Sequence, residues 1–177
     1  AVTIDVKKPG DLVYVLGETF PELGGSEWFA QNGFIGNHVP AVNGERAKKI
    51  YAALSAAIRA GLVASCHDCS DGGLGVALAE TAFAGGLGLS VDLSRVPCSG
   101  IYRDDYLLFS ESQSRFVVTV SPEKRSRFEE AMKRNAIACL GQVLEDDHFR
   151  VNGLRGNRII EDDIRVLKEI WQKPLRF

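Results

Sequence analysis

The stretch Cys66-His67-Asp68-Cys69-Ser70-Asp71-Gly72-Gly73 gathers two thiols, an imidazole, two carboxylates and a glycine pair. A zinc centre needs four ligands, ordinarily a second CxxC or a histidine pair at set spacing. Cys98 and Cys139 instead stand alone, far along the chain. A thioredoxin-like redox pair sits at a helix N-terminus, where the thiolate is stabilised, whereas the helix here is expected to begin later, at Gly72-Gly73. Small buried residues near a strand end account better for the cysteines. An anion cradle suits the stretch better than either. A strand, then Asp-x-x-Asp-Gly-Gly, then a helix leaves backbone N–H groups and the positive end of a helix dipole facing a ligand, and the glycines let it approach closely. Asp68 and Asp71 would repel a bare phosphate, so the cradle makes sense with Mg²⁺ bridging carboxylate and phosphate oxygens. Equally, Ser70 or Asp71 would serve as a plain helix N-cap, and spacing leaves the two open.

Other polar groups are less specific. Glu111-Ser112-Gln113 stands just before an apolar strand, placed either to hydrogen-bond a ligand or to form a solvated turn. Gly24-Gly25-Ser26-Glu27 reads as a capping box ahead of Glu27-Trp28-Phe29-Ala30-Gln31 or as a loop facing a partner. His38 and His148 have no companions at ligand or triad spacing, and there is no GxSxG, P-loop or HExxH.

The elements that must position these residues follow from periodicity. Leu12–Leu16 and Phe116–Val120 read as buried strands, Val63–His67 as a short strand into the glycine turn, and Gly88–Leu93 as an alternating strand. Residues Glu45–Ala60 place Ala47, Ile50, Tyr51, Leu54, Ala57 and Ile58 on one helical face, with Gly61 as the stop. Leu74–Ala84 reads as the next helix. Ser121-Pro122 starts another, with Ser121 as N-cap, running to about Arg134. Leu140–Leu144 and Phe149–Val151 read as a hairpin around Asp146-Asp147, and Asp163–Trp171 as a final amphipathic helix. Residues 18–44 form a long Gly-, Pro- and Asn-rich segment, of the kind that is functional or docks on a partner. Its apolar residues Phe20, Trp28, Phe29, Phe34 and Ile35 are the candidates for such docking. Helices and strands mix without strict alternation, which predicts an α+β or three-layer fold rather than a doubly wound one.

The 177 residues suit a single domain. A net charge of −2 argues against a nucleic-acid binder, and no apolar run is long enough to span a membrane. With four cysteines and no secretory pattern, a reduced cytoplasmic setting is expected. The chain begins at Ala1 and its only methionine is Met132, so it is expected to be processed or to be a fragment, residues 1–177, of a longer multidomain enzyme.

Taken together and in order, "KPGDLVYVLGET", "ELGGSEW", "HDCSDGGLGVALAE", "LFSESQSRFVVTV" and "LKEIWQKPL" resemble phosphoribosylformylglycinamidine synthase, over nearly the whole chain. Within that family the likeness is to the C-terminal domain of the second half, of the type shared with aminoimidazole ribonucleotide synthetase. The resemblance implies a three-layer α/β/α sandwich with a mixed sheet, partly ferredoxin-like. It implies an ATP-consuming carbon–nitrogen ligase of purine biosynthesis, joining glutamine-derived ammonia to formylglycinamide ribonucleotide. ATP or ADP and Mg²⁺ are the expected cofactors. The expected partners are N-terminal ATP-handling domains of the same enzyme, a glutaminase subunit and a small accessory subunit. Carried over residue by residue, Asp68 is the expected metal ligand, and Asp71, Gly72, Gly73, Glu111, Ser112 and Gln113 are the expected nucleotide or substrate contacts. No catalytic residue is expected in this domain, and the isolated chain is expected to be inactive. The alternative is a purely structural docking domain that meets no ligand.

Overall fold

Side-chain alternation in the central strands decides the layering. In β1 (Leu12–Leu16), Val13 and Val15 join one buried cluster while Tyr14 and Leu16 join another. In β4 (Phe116–Val120), Val117 faces the first cluster and Val118 and Val120 the second. Successive side chains of a strand point to opposite faces, so both faces of this sheet are buried, and each needs a helical layer. The computed structural model describes residues 1–175; the last two residues of the expected 1–177 domain lie outside the described residues.

The remaining strands are β2 (Ser65–Asp68), β3 (Leu89–Asp92), β5 (Ile137–Val143), β6 (His148–Asn152) and β7 (Arg158–Asp163). The helices are α1 (Glu27–Gln31), α2 (Gly44–Arg59), α3 (Gly73–Gly85), α4 (Asp104–Phe109), α5 (Arg125–Met132) and α6 (Ile164–Gln172). The strands form one sheet in the order β2-β4-β1-β5-β3-β6-β7. Ile50, Leu54 and Ala57 of α2 and Phe128 and Met132 of α5 cover one face. Leu74 and Leu78 of α3, Leu107 and Leu108 of α4 and Ile164 of α6 cover the other. The expected three-layer α/β/α sandwich is therefore present, and the sheet is mixed: β3 runs parallel to β6, and the other pairings are antiparallel.

The ferredoxin-like part is explicit. β1-α2-β2 and β4-α5-β5 are two βαβ units that interleave as β2-β4-β1-β5, all antiparallel, with α2 and α5 on one face. The α3-β3 pair enters between β2 and β4 in sequence. It covers the other face with α3 and extends the sheet past β5 with β3.

Several sequence expectations need correction. Leu140–Leu144 and Phe149–Val151 do not form a hairpin: β3 lies between β5 and β6, pairing Val91 with Gly141 on one side and with Val151 on the other. The real hairpin partner of β6 is β7, a charged strand with no alternation signal. Ser121 is not a side-chain N-cap; its hydroxyl donates to Glu123 Oε1, and a short 3₁₀ turn at Pro122–Lys124 precedes α5. Ser26 does cap α1, its Oγ accepting from Phe29 N–H. Phe29 stands where a capping box needs Glu or Gln, so there is no box. Among the docking candidates, only Phe34 and Ile35 are exposed. Trp28 stacks on Phe109 of α4, ring centroids 4.3 Å apart, and Phe29 lies against Phe34. Among the described residues, no helix is long and apolar enough to cross a membrane.

Candidate functional site

β2 ends the sheet at Asp68, and the chain turns through Cys69–Gly72 into α3. Gly72 and Gly73 both take positive φ, +79° and +66°, in the left-handed region that favours glycine. Neither Ser70 nor Asp71 caps α3, since the N-cap position is Gly72 and it carries no side-chain cap. Ser70 Oγ donates instead to Asp68 Oδ2 at 2.6 Å, and that bond is the largest of the influences holding the Asp68 carboxyl below the usual aspartate range. Asp68 is thus an anion held from one side and open on the other, with 64% of its side chain exposed. Asp71 is exposed in the turn.

The Gly72 amide is already taken. It donates to Glu111 Oε1 at 2.9 Å, and the same oxygen accepts from the Glu27 amide at 3.0 Å, at the start of α1. One carboxylate oxygen therefore ties the glycine turn to α1, joining segments 39 and 84 residues apart from it in sequence. Ser112 is buried, its hydroxyl accepting from Phe20 N–H and donating to Phe20 C=O, so it fastens the 18–44 segment. Gln113 is exposed and folds back, Nε2 donating to Glu111 C=O.

Beneath these residues lies Arg115, 1% exposed. Its guanidinium donates to Ser112 C=O, Thr19 Oγ1 and Ser110 C=O. Burial, the largest influence, pulls its pKa below the ordinary arginine value, while Cys69, Glu22 and Glu111 act in the opposite direction. The Arg115 backbone also accepts from Cys69 N–H. The sequence expectations missed Arg115, since a charged residue ahead of an apolar strand reads as solvated.

The structure brings Asp68, Asp71, Gly72, Gly73 and Glu111 to one turn, with Gln113 at its rim and Ser112 facing away into the interior. What gathers there is mostly carboxylate, so the turn suits a cation or a cation-bridged anion better than a bare phosphate. A lone carboxylate of this kind is a donor type that Mg²⁺ accepts. Among the described residues, no group of three His, Cys, Asp or Glu side chains is arranged to hold a metal.

Burial pushes the Cys66 and Cys69 thiols up to about 11 each. That is the reverse of an activated CxxC pair. With a maleimide reagent at neutral pH, exposed Cys98 is expected to react first, and buried Cys69 only when the protein unfolds. Prompt labelling of Cys69 in the folded protein would contradict its packing.

The ferredoxin-like core with an inserted helix and strand, and an acidic glycine turn at the strand end, define a class of three-layer α/β/α domain. A family model described as "AIR synthase related protein, C-terminal domain" matches residues 8–153, and the chain belongs to that family. It is 44% identical over 175 residues to the phosphoribosylformylglycinamidine synthase subunit PurL of Moorella thermoacetica, covering 97% of this chain and 23% of that protein. Two structures of Thermotoga maritima PurL are similar at 26% identity over 94% of this chain. The complex with FGAR has a TM-score of 0.81 and is covered to 29%; the complex with ATP has a TM-score of 0.75 and is covered to 27%. The chain therefore spans well under a third of the length of these relatives.

Proposed function

We propose that the chain serves as the C-terminal domain of the second half of a phosphoribosylformylglycinamidine synthase. In that role it is one domain of an ATP-consuming, glutamine-dependent carbon–nitrogen ligase of purine biosynthesis, working in the cytoplasm with N-terminal ATP-handling domains, a glutaminase subunit and a small accessory subunit. The observation that carries the proposal is the acidic turn. Glu111 already fills the amide hole at Gly72, while Asp68 presents an ionised, half-held carboxylate beside it.

In this assignment Asp68 would hold Mg²⁺ through a carboxylate oxygen beside a bound nucleotide. Asp71, Gly72 and Gly73 shape the approach, Glu111 and Gln113 set the far wall, and Ser112 fastens that wall from the interior. Ser112 acts through its grip on Phe20, and Glu111 through its second oxygen and the two amides it orients. Bound Mg²⁺ supplies charge neutralisation for phosphate. This chain's own residues hold, space and orient; none of them exchanges a proton with substrate. By itself the chain is expected to form no product.

The test is calorimetric titration of the full-length protein with Mg·ADP, before and after Asp68→Asn. Loss of the saturable heat, or at least a tenfold weaker affinity (about 1.4 kcal/mol), is expected. Unchanged nucleotide content and unchanged activity would favour the docking role instead. A specific observation supports that second role: Phe34, Ile35, Val39 and Val42 lie 60–82% exposed along one loop, and exposed apolar residues gathered together mark interaction surfaces.

A further inference from the structure

An Asn-Gly pair is open to self-modification, because glycine has no Cβ to keep its amide nitrogen away from the asparagine side chain. The chain has three such pairs, Asn32-Gly33, Asn43-Gly44 and Asn152-Gly153. Unfolded, the three are chemically alike; the fold sets them apart. At Asn32 both reacting groups are tied: Nδ2 donates to Trp28 C=O at 2.7 Å, and Gly33 N–H donates to Ala30 C=O at 3.1 Å. At Asn152, the last residue of β6, Gly153 N–H donates to Asn157 C=O at 2.9 Å and Oδ1 accepts from Arg158 Nε at 2.8 Å. Asn43-Gly44 differs. Gly44 opens α2, where the N–H groups of the first turn have no carbonyl to bond within the helix. Among the described residues neither the Gly44 N–H nor Asn43 Nδ2 has a partner. Both residues are exposed, and a Cβ built on Gly44 would meet nothing within 4 Å. The side chain has one bond, from Arg46 N–H to Asn43 Oδ1 at 3.0 Å, and it lies on the oxygen where negative charge develops when the carbonyl is attacked. Ring closure must turn the Asn43 backbone from its ψ of 97° and give up the bond from Ala47 N–H to Asn43 C=O, which stands at a helix end, where fraying is ordinary.

We propose that Asn43-Gly44 is a deamidation site of the folded protein. Hydroxide removes the Gly44 amide proton, and the nitrogen attacks Asn43 Cγ. The N–Cγ bond forms, the Cγ–Nδ2 bond breaks, and Nδ2 leaves as ammonia with a proton from water, giving a cyclic imide. Water then opens the ring. Cleavage of the new N–Cγ bond gives aspartate. Cleavage at the main-chain carbonyl gives isoaspartate, with the chain running through the β-carbon. One water enters, one ammonia leaves, and no oxidant is needed. The two products act differently on α2. Aspartate caps a helix as well as asparagine does, and its charge suits the start of the helix. Isoaspartate adds a carbon to the backbone and draws the capping oxygen away from Arg46 N–H, so α2 loses its cap and the exposed 33–43 loop loses its anchor at the Asn43 end.

The test incubates the full-length protein in mildly alkaline buffer, folded and in urea, and follows the three pairs by peptide mapping with mass spectrometry. In the folded protein Asn43 is expected to convert about tenfold faster than Asn32 or Asn152, giving both products. In urea the three rates are expected to converge. Gly44→Ala places a Cβ in open space and is expected to slow conversion at Asn43 about tenfold, with no loss in thermal midpoint. Asn43→Asp is expected to keep the wild-type midpoint, and the separated isoaspartate form to melt lower. Equal rates at the three pairs in the folded protein would overturn the proposal, as would earlier conversion of Asn32 or Asn152. Conversion at Asn43 that Gly44→Ala does not slow overturns it too, and so does an Asn43 that stays intact in the folded protein while it converts in urea.

Discussion

Arg115→Ala is expected to destabilise the protein by about 3–5 kcal/mol, measured by urea unfolding at constant m-value. The side chain is the largest of those that are fully buried. Its guanidinium forms no direct ion pair among the described residues, so its worth lies in the acceptors it satisfies: the carbonyls of Ser110 and Ser112 and the hydroxyl of Thr19. Truncation strands at least two carbonyls in the interior, at roughly 1–3 kcal/mol each, and opens a cavity whose cost adds to that. Against this stands relief from holding a desolvated charge. Arg115→Met separates the two effects, because it fills most of the volume and removes the charge while still leaving the carbonyls bare. It is expected to lose less than Ala. Arg115→Lys keeps the charge, but a point ammonium cannot fork to acceptors on three sides. A loss under about 1 kcal/mol for Ala would mean that water replaces the guanidinium and that the Ser110–Ser112 segment holds itself. The same variant carries a local consequence. Glu111 sits in that segment, so faster amide hydrogen exchange at Gly72 and Glu27, both bonded to Glu111 Oε1, is expected before global unfolding.

How far the sequence discloses this protein depends on whether a contact is local. β1, β4 and α2 are legible because each writes its own burial pattern: short apolar runs for strands covered on both faces, and a 3.6-residue stripe for a helix covered on one. The glycine turn is legible as a strand-to-helix junction for the same reason. β3 between β5 and β6 is not legible, because inserting a strand between two neighbours is settled by pairing across some 50 residues of chain, and nothing in Leu140–Val151 records it. β7 hides because an edge strand with one open side has no need of apolar alternation. At the site, the residue types are visible and their partners are not. Glu111 can be named as a polar group near a core strand, but its role as a shared acceptor for Gly72 and Glu27 exists only once two loops meet. Glu80 looks like an ordinary helix-surface residue until α6 supplies Trp171, whose indole N–H donates to it. Family resemblance bridges part of this gap by naming positions, while the physical role of Ser112, turned inward to Phe20, comes from the fold.

The glycine pair offers the sharpest separation of conformation from contact, and Gly73→Ala is expected to cost more than about 3 kcal/mol. Gly73 sits at φ +66°, where a Cβ alone costs roughly 1–2 kcal/mol. That Cβ would also lie 2.5 Å from Ser110 C=O and 2.8 Å from Leu108 C=O, both backbone atoms at the end of α4. Backbone held by a buried helix end cannot step aside as a side chain can, so the turn and α4 must part, carrying Ser110 and Glu111 away from Gly72. Gly72 has the same left-handed conformation, at φ +79°, but its Cβ would meet the side chain of Val76, 2.3 Å away. A valine rotamer can move the methyl but not Val76 Cβ, 2.9 Å away, so the first turn of α3 must also shift slightly. Gly72→Ala is expected to lose about 2–3 kcal/mol, less than Gly73→Ala because no backbone of a second element stands in the way. Equal losses from the two variants in urea unfolding would mean that backbone conformation alone demands glycine here. The expected gap would mean that the second glycine exists to let α4 press against the start of α3. That close approach is what brings Glu111 to the Gly72 amide, so under the proposed function Gly73→Ala is expected to abolish Mg·ADP binding as well, while Gly72→Ala leaves it within about tenfold of wild type.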